Sequence, residues 1–366
     1  MMDLRSFLYQ RYKNRTANRA SEKAIASICN SVKQYCKIQN LTKSQIEEIQ
    51  DYWQPLVGKR VDTRLHQMMF SLTGIFKPEF EPFEICHQVQ ARSMHPRAMF
   101  FFDDKNLYRS LLFGFSIPER IAECINGVCY LPGMHMDGTE ISKSDMINAL
   151  RNISDCIIKP SVGSDGGRGV HSFDSLDGIE INTKKTVEDV IREYGLNFCI
   201  ERKVHECDNL QILNPTSCNT LRVHTMRNRE EQRIRYISSY VRIGKMGQVV
   251  DNMHSGGTGA RIYNDGTLRN AVSCYPYKTF NKTESGVNLN GYKILDYNKI
   301  IDTCIKAHSR LPMFDLIGWD VTVDKSGQVI IIEYNPNPDI RIEQAIFGES
   351  CLLENQEWVM HQYFSK

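Results

Sequence analysis

Two acids and an amide stand in Gly318-Trp319-Asp320-Val321 and in Ile331-Ile332-Glu333-Tyr334-Asn335-Pro336-Asn337. Both segments read as apolar strands, Gly318 to Val323 and Val329 to Tyr334, joined by the turn Asp324-Lys325-Ser326-Gly327, so Asp320 and Glu333 fall on neighbouring antiparallel strands. Asn335, two residues past Glu333, points to the same face. Carboxylates that face one another repel unless a cation offsets them. Three hard oxygen donors suit Mg²⁺, which binds through one or two carboxylates and leaves its other positions to water and substrate phosphates. The expectation is a magnesium site made of Asp320, Glu333 and Asn335, against the plainer reading of two solvated strand acids.

A second constellation is Ile157-Ile158-Lys159-Pro160 followed by Ser161-Val162-Gly163-Ser164-Asp165-Gly166-Gly167-Arg168-Gly169. A lysine at a strand end is a point charge for phosphate oxygens, and glycines let backbone N–H groups close over a polyphosphate. A phosphate lid containing Ser164, Gly166, Gly167 and Gly169 is expected, with a flexible hairpin beside a surface lysine as the alternative. Asp155 to Lys159 reads as a strand and Val170 to Phe173 as its return, so the loop joins antiparallel strands. A Rossmann fingerprint or a Walker A loop would open a helix instead.

Three weaker signals follow. The strand Phe198 to Val204 runs into polar sequence and can offer its backbone to an adenine edge, with Glu206 or Asp208 accepting from ribose hydroxyls. Arg222, inside the apolar run Leu221 to Met226, needs an anionic partner: a phosphate, a substrate carboxylate, or a neighbouring acid in a structural pair. The segment Asp251-Asn252-Met253-His254-Ser255-Gly256-Gly257-Thr258-Gly259-Ala260-Arg261 is a second glycine loop with charge around it, suited to substrate recognition through Asp251, Asn252, His254, Gly256, Gly257 and Arg261; Arg341 is assigned to the same side. His254 alone is more often a satisfied loop histidine than a base.

The elements that must hold these groups change character along the chain. Residues 21–38 put Ile25, Ile28, Cys29, Val32, Tyr35 and Cys36 on one helical stripe, and Thr42 with Gln45 makes a capping box for a helix ending near Trp53. A turn-rich stretch surrounds Pro78 and Pro82, and Met99 to Phe102 reads as a short buried strand. From about residue 150, short apolar runs alternate with glycine. Helices are expected from Thr186 to Tyr194, stopped by Gly195, and after Asp296, which caps a stripe of Ile300, Ile301, Cys304, Ile305 and His308 that Pro312 ends. Residues 1–98 form a mainly helical region with a possible acceptor-side role, 99–200 a first lobe with the glycine loop, and 201–366 a second lobe with the metal site.

Composition narrows the class. At 366 residues the chain exceeds what one core supports and divides into subdomains. The 45 basic and 43 acidic side chains leave a formal charge of +2, and there is neither a basic stripe nor interleaved aromatics, so nucleic acid is not an expected partner. The 12 cysteines are scattered without a CxxC pair, which favours reduced thiols and the cytoplasm. No apolar run approaches the length of a membrane span or of a signal core.

Taken in order, Lys159 with its glycine loop, the Glu201 strand, Asn219-Thr220-Leu221-Arg222, Asp251-Asn252 with Gly256-Gly257, and Asp320 with Glu333 and Asn335 resemble the ATP-grasp superfamily. More narrowly, the chain is similar to the sugar-transfer-associated ATP-grasp family, related to alpha-L-glutamate ligases, over roughly residues 99 to 345. The resemblance implies an α+β fold of two lobes whose antiparallel sheets clamp ATP, preceded here by the helical region. It gives meaning to Asp104-Lys105-Asn106, placing Lys105 with Lys159 near the phosphates, Glu201 and Val204 on the adenine side, Mg²⁺ on Asp320, Glu333 and Asn335, and Arg222 at the reacting phosphoryl group. Arg202 and Lys203 depart from the apolar or acidic neighbours usual in that strand.

The chemistry this implies is ligation of a carboxylate to an amine, with ATP forming an acyl phosphate and ADP and phosphate released. Small-molecule or glycan-precursor carboxylates and amines are the implied partners, in surface-polysaccharide synthesis. Phosphorylation of a hydroxyl on the same nucleotide site is the runner-up, and nucleotide binding without turnover the third reading.

Overall fold

Thr42 and Gln45 form the expected reciprocal cap, each side chain accepting from the other's backbone N–H, and start helix α1, Lys43–Val57. The helix passes Trp53, carrying Pro55 in its last turn, and stops at Gly58, whose φ of 71° an L side chain rarely adopts. Helices α2, Arg64–Thr73, and α3, Phe83–Arg92, complete the front region. The computed structural model describes residues 22–30, 32–94, 104–131, 140–164, 167–248, 251, 253, 256–274 and 276–365. The strand expected at Met99 to Phe102 lies outside them, as do Gly166, Asn252 and His254.

Two sheets follow, antiparallel at every pairing. The first has the order β2-β1-β6-β3-β4-β5, with β1 Arg120–Ile125, β2 Val128–Tyr130, β3 Ile153–Pro160, β4 His171–Leu176, β5 Ile179–Glu180 and β6 Phe198–Arg202. Helices α4, Lys143–Ala149, and α5, Val187–Tyr194, cover one face. Met146, Val190 and Ile191 pack there against Ala122, Cys156, Ile158, Phe198 and Ile200. The glycine loop joins β3 to β4, as its pattern required, and Tyr194 ties it down by donating to the Gly169 carbonyl at 2.8 Å.

The second sheet has the order β11-β10-β9-β8-β7-β12-β13, with β7 Thr220–Asn228, β8 Arg233–Ile243, β9 Thr258–Arg261, β10 Ala271–Cys274, β11 Tyr277–Phe280, β12 Leu316–Val323 and β13 Val329–Asn335. Helix α6, Tyr297–His308, lies on one face, where Ile300 and Cys304 pack with Leu221, Val223, Val241, Trp319 and Val321. Asp296 stands at its N-cap position but bonds no backbone N–H with its side chain; its own φ of 54° directs the chain into the helix instead. Helices α7, Ile340–Phe347, and α8, Gln356–Phe364, close the fold. They share one core with the front helices, in which Trp53, Phe80 and Phe83 meet Tyr240, Ile346 and Tyr363.

Candidate active site

Alternation along β3 and β6 turns Ile158 and Ile200 toward the helices and Lys159 and Glu201 to the opposite face. There Lys159 Nζ lies 2.6 Å from one Glu201 oxygen and Arg120 2.9 Å from the other. All three are buried. Burial works against each charge, but mutual attraction outweighs it: Glu201 lifts the Lys159 pKa above its usual range, and Lys159 with Arg120 holds Glu201 below its own. Arg120 also donates to Asn106 Oδ1 at 2.6 Å and to the Lys105 carbonyl at 2.9 Å, which fixes the turn bearing Lys105. The Lys105 N–H in turn donates to the Ser161 carbonyl at 2.9 Å, beside the glycine loop.

The second sheet presents a charged face of its own. Asp320 pairs across the strands with Arg222 on β7 and Glu333 on β13, and a bulge follows it. Its carboxylate accepts from Arg222 Nε at 2.6 Å and Arg242 at 3.0 Å, and Asn335 Nδ2 approaches it at 3.3 Å. Despite burial, Arg222 and Arg242 hold its pKa down to about 2. Arg242 reaches on to Asp251 at 2.8 Å, and burial pushes the Asp251 carboxyl up. Glu343 of α7 accepts from Arg222 at 3.3 Å and from Tyr240 at 2.9 Å, with His224 Nε2 3.0 Å from its other oxygen. Lys105 Nζ lies 3.0 Å from Glu333 Oε1 and so connects the two charged faces.

The facing acids thus find their compensating cations inside the chain, Lys105 for Glu333 and two arginines for Asp320. Arg222 takes a neighbouring acid as partner, the structural alternative raised by its apolar strand. Lys105, Lys159, Glu201, Arg222, Asp251, Asp320, Glu333 and Asn335 belong to this connected network. Ser164 is buried, with its hydroxyl unpartnered among the described residues, and Gly167 and Gly169 hold φ near 74° and 73° in the loop beside it.

Other expected positions fall elsewhere. Glu206 is a correction: it is 3% exposed, and its two oxygens accept from the Asn219 N–H at 2.7 Å and from Asn219 Nδ2 at 2.6 Å. It organises the entry to β7, and burial pushes its pKa up to about 7. With both oxygens turned to Asn219 and the residue closed off from solvent, Glu206 offers no face to a ribose. Asp208 is exposed at the start of a one-turn helix, and Val204 lies half-buried past the end of β6. Gly256 and Gly257 precede β9. Arg261 leaves the network for Glu349 and the rings of Tyr263 and Phe347. Arg341 bonds Asp339 at 2.7 Å and sits over Phe83, two residues before Glu343 and so on another face of α7. Arg120, Arg242 and Glu343 were missed; Arg242, an arginine inside the apolar run Tyr240 to Ile243, carries the signal that marked Arg222.

Comparison with known proteins adds a family. The model for "sugar-transfer associated ATP-grasp" matches residues 85–358. No curated protein matches the chain. Among solved structures, N5-carboxyaminoimidazole synthetase from Staphylococcus aureus with ADP is 12% identical, covering 80% of this chain and 65% of that chain with a TM-score of 0.39. The ATP-grasp ligase PsnB with minimal precursor, Mg and ADP is 13% identical, covering 75% of this chain and 62% of that chain with a TM-score of 0.38. N5-carboxyaminoimidazole ribonucleotide synthetase from Thermotoga maritima is 14% identical, covering 69% and 50% with a TM-score of 0.35. The chain therefore spans between half and two thirds of the length of these solved chains.

Proposed function

Because the chain belongs to the sugar-transfer associated ATP-grasp family, we propose that it is an ATP-dependent ligase that joins a carboxylate to an amine and releases ADP and phosphate. The observation that carries this reading is the pairing of Lys105 with Glu333, which joins the turn held by Arg120 of the first sheet to the acids of the second. ATP is assigned to the space between them, with residues 99–200 and 201–366 as the two lobes and 1–98 on the acceptor side.

The donor set fits Mg²⁺. Asp320 stays ionised at any working pH because two arginines hold its pKa near 2, the Glu333 side chain is 29% exposed beside it, and half a turn of the Asn335 amide presents Oδ1. When bound, the ion offsets charge on the phosphoryl oxygens. Lys159 and Lys105 supply fixed positive charge to the phosphates, Glu201 and Arg120 keep Lys159 in place, and the glycine loop excludes water above them. Arg222, held by Asp320 and Glu343, is assigned to the transferred phosphoryl group on the family resemblance alone. A carboxylate oxygen attacks the γ-phosphorus as the bond to ADP breaks; the amine then attacks the acyl carbon, phosphate leaves, and the amine gives up its proton. No nucleophilic side chain is required.

The family's description supports a sugar-containing partner, such as an amino acid joined to a sugar acid or amino sugar for a surface polysaccharide. All twelve cysteines are unpaired, which supports a reducing compartment, the cytoplasm. Among the described residues no helix is long and apolar enough to cross a membrane.

Incubation with ATP, Mg²⁺ and a pool of amino acids and sugar acids, followed by phosphorus NMR and mass spectrometry, tests the reading. ADP, free phosphate and a product lighter than its two components by one water support the ligase. ADP with a phosphorylated acceptor moves the assignment to a phosphotransferase, and no nucleotide turnover with any pair counts against both.

A further inference from the structure

Beyond the charged network, the outer strands of the second sheet and the C-terminal end of α7 enclose a cavity of about 150 Å³. Arg261, Arg269, Tyr263, Tyr277, Phe347 and Ile75 are among its lining residues. Arg261 and Arg269 both hold their guanidinium carbons over the Tyr263 ring, 4.6 and 4.1 Å from its centroid. Glu349 answers one of these charges, through Arg261 Nη1. Arg261 Nε is buried with no hydrogen-bond partner among the described residues, and Arg269 is exposed with no acid partner among them.

Two cations on one ring with a single carboxylate between them leave the mouth of the cavity net positive. Stacking holds guanidinium forks in plane, and a fork with spare N–H donors matches the paired oxygens of a carboxylate or phosphate. Ile75, Val272 and Ile346 share the rest of the wall with Asn270 and Tyr277, so apolar and hydrogen-bonding groups alternate around the mouth. A volume of about 150 Å³ has room for several waters, and so for an oxyanion and a short stretch of its carrier.

The position sets the cavity apart from the charged network. Arg222 pairs in register with Tyr240, and Tyr240 with Arg261, so the three stand in one row across β7, β8 and β9. Two strand spacings, about 10 Å, separate the first from the last, and the interval is filled: Tyr240 is buried there beneath α7, whose Glu343 meets Arg222 and whose Phe347 meets Tyr240 and Arg261. We propose that this cavity is a recognition site for an oxyanion, the carboxylate or phosphate of a small molecule held apart from the reacting groups. The proposal stands independently of the ligase reading. Ile75 follows α2, so the front region contributes to the wall and has a part in selecting what binds.

Calorimetric titration of the full chain with glucuronate, glucose 6-phosphate and neutral glucose, alongside ADP with Mg²⁺, tests it. One of the two anions is expected to bind saturably and glucose not to; the tighter anion identifies the oxyanion. Arg269→Ala, at an exposed position, is expected to weaken that anion about tenfold and leave ADP binding unchanged. Arg269→Glu should abolish anion binding. The inference is overturned if neither anion saturates, if glucose binds as well as they do, or if Arg269→Ala binds as wild type; ADP binding in those cases leaves the ligase reading standing. Failure of ADP to bind while the anion behaves as stated counts against the nucleotide site and not against this subsite.

Discussion

Asp320 and Glu333 stand opposite each other, yet their replacement has different consequences. Asp320 is buried between Arg222 and Arg242, so Asp320→Asn removes the one acid those two guanidiniums share among the described residues and leaves like charges facing in a dry site. A loss of about 3–5 kcal/mol in urea unfolding is expected, and with it any clean test of metal binding. Glu333 is partly exposed, and glutamine still offers Lys105 an oxygen. Glu333→Gln should unfold within about 1–2 kcal/mol of wild type while ATP turnover falls about 100-fold or more; wild-type turnover would remove Glu333 from the site. Glu333→Gln is therefore the sharper probe. What sequence reasoning could reach at this scale was set by locality: Lys159, Asp320 and Glu333 announce themselves inside short apolar runs. Their partners do not, because Arg222 and Asp320 lie 98 positions apart and Arg222 and Glu343 lie 121 apart.

At the scale of elements, the site depends on how closely the segment after β13 can lie on the sheet. A Cβ added to Gly318 would stand 2.9 Å from Pro338 Cβ and 3.3 Å from Arg222 Cδ. Gly318→Ala is expected to cost about 1–3 kcal/mol and to lower kcat by displacing Arg222, without introducing or removing a charge. Unchanged stability and activity would show that the segment gives way freely. The hairpin of β12 and β13 was readable because Asp324 and Gly327 form a local turn: Asp324 Oδ1 accepts from the N–H groups of Ser326 and Gln328, both at 2.9 Å, and Gly327 has a φ of 79°. The hairpin of β1 and β2 carries a signal as local, Asn126-Gly127 with φ of 50° and 86°, yet neither it nor Arg120 was among the expected elements. Glu206 misled for another reason: its position beside a polar loop suggested exposure, whereas a contact with Asn219, 13 residues on, buries it.

Across the whole molecule, buried histidines set the response to acid. His308 is closed between the Thr225 hydroxyl at 2.7 Å and the Phe314 carbonyl at 3.0 Å, and burial lowers its pKa from 6.5 to about 3. The unfolded chain takes up a proton near pH 6.5 that the folded chain refuses. Stability from this group is complete above pH 6.5 and is lost as pH falls toward 3, by about 1.4 kcal/mol at pH 5.5. Glu206, raised to about 7, works in the opposite direction between pH 4.5 and 7, so the readout is a difference between proteins. His308→Gln should be less stable at pH 7.5 but lose about 1.4 kcal/mol less than wild type between pH 7.5 and 5.5 in urea titrations; parallel profiles would remove His308 as the cause. The core in which Trp53 and Phe80 meet Ile346 and Tyr363 has a consequence in time as well as in space. Tyr52 bonds Gln356, 304 positions later. At ribosomal speeds of roughly 5–20 residues per second, the front helices wait about 15 to 60 s after emerging before their partners exist. During that interval their apolar faces are open to whatever binds nascent chains, so yield in a cell should respond to chaperone supply more than the stability of the finished protein would suggest.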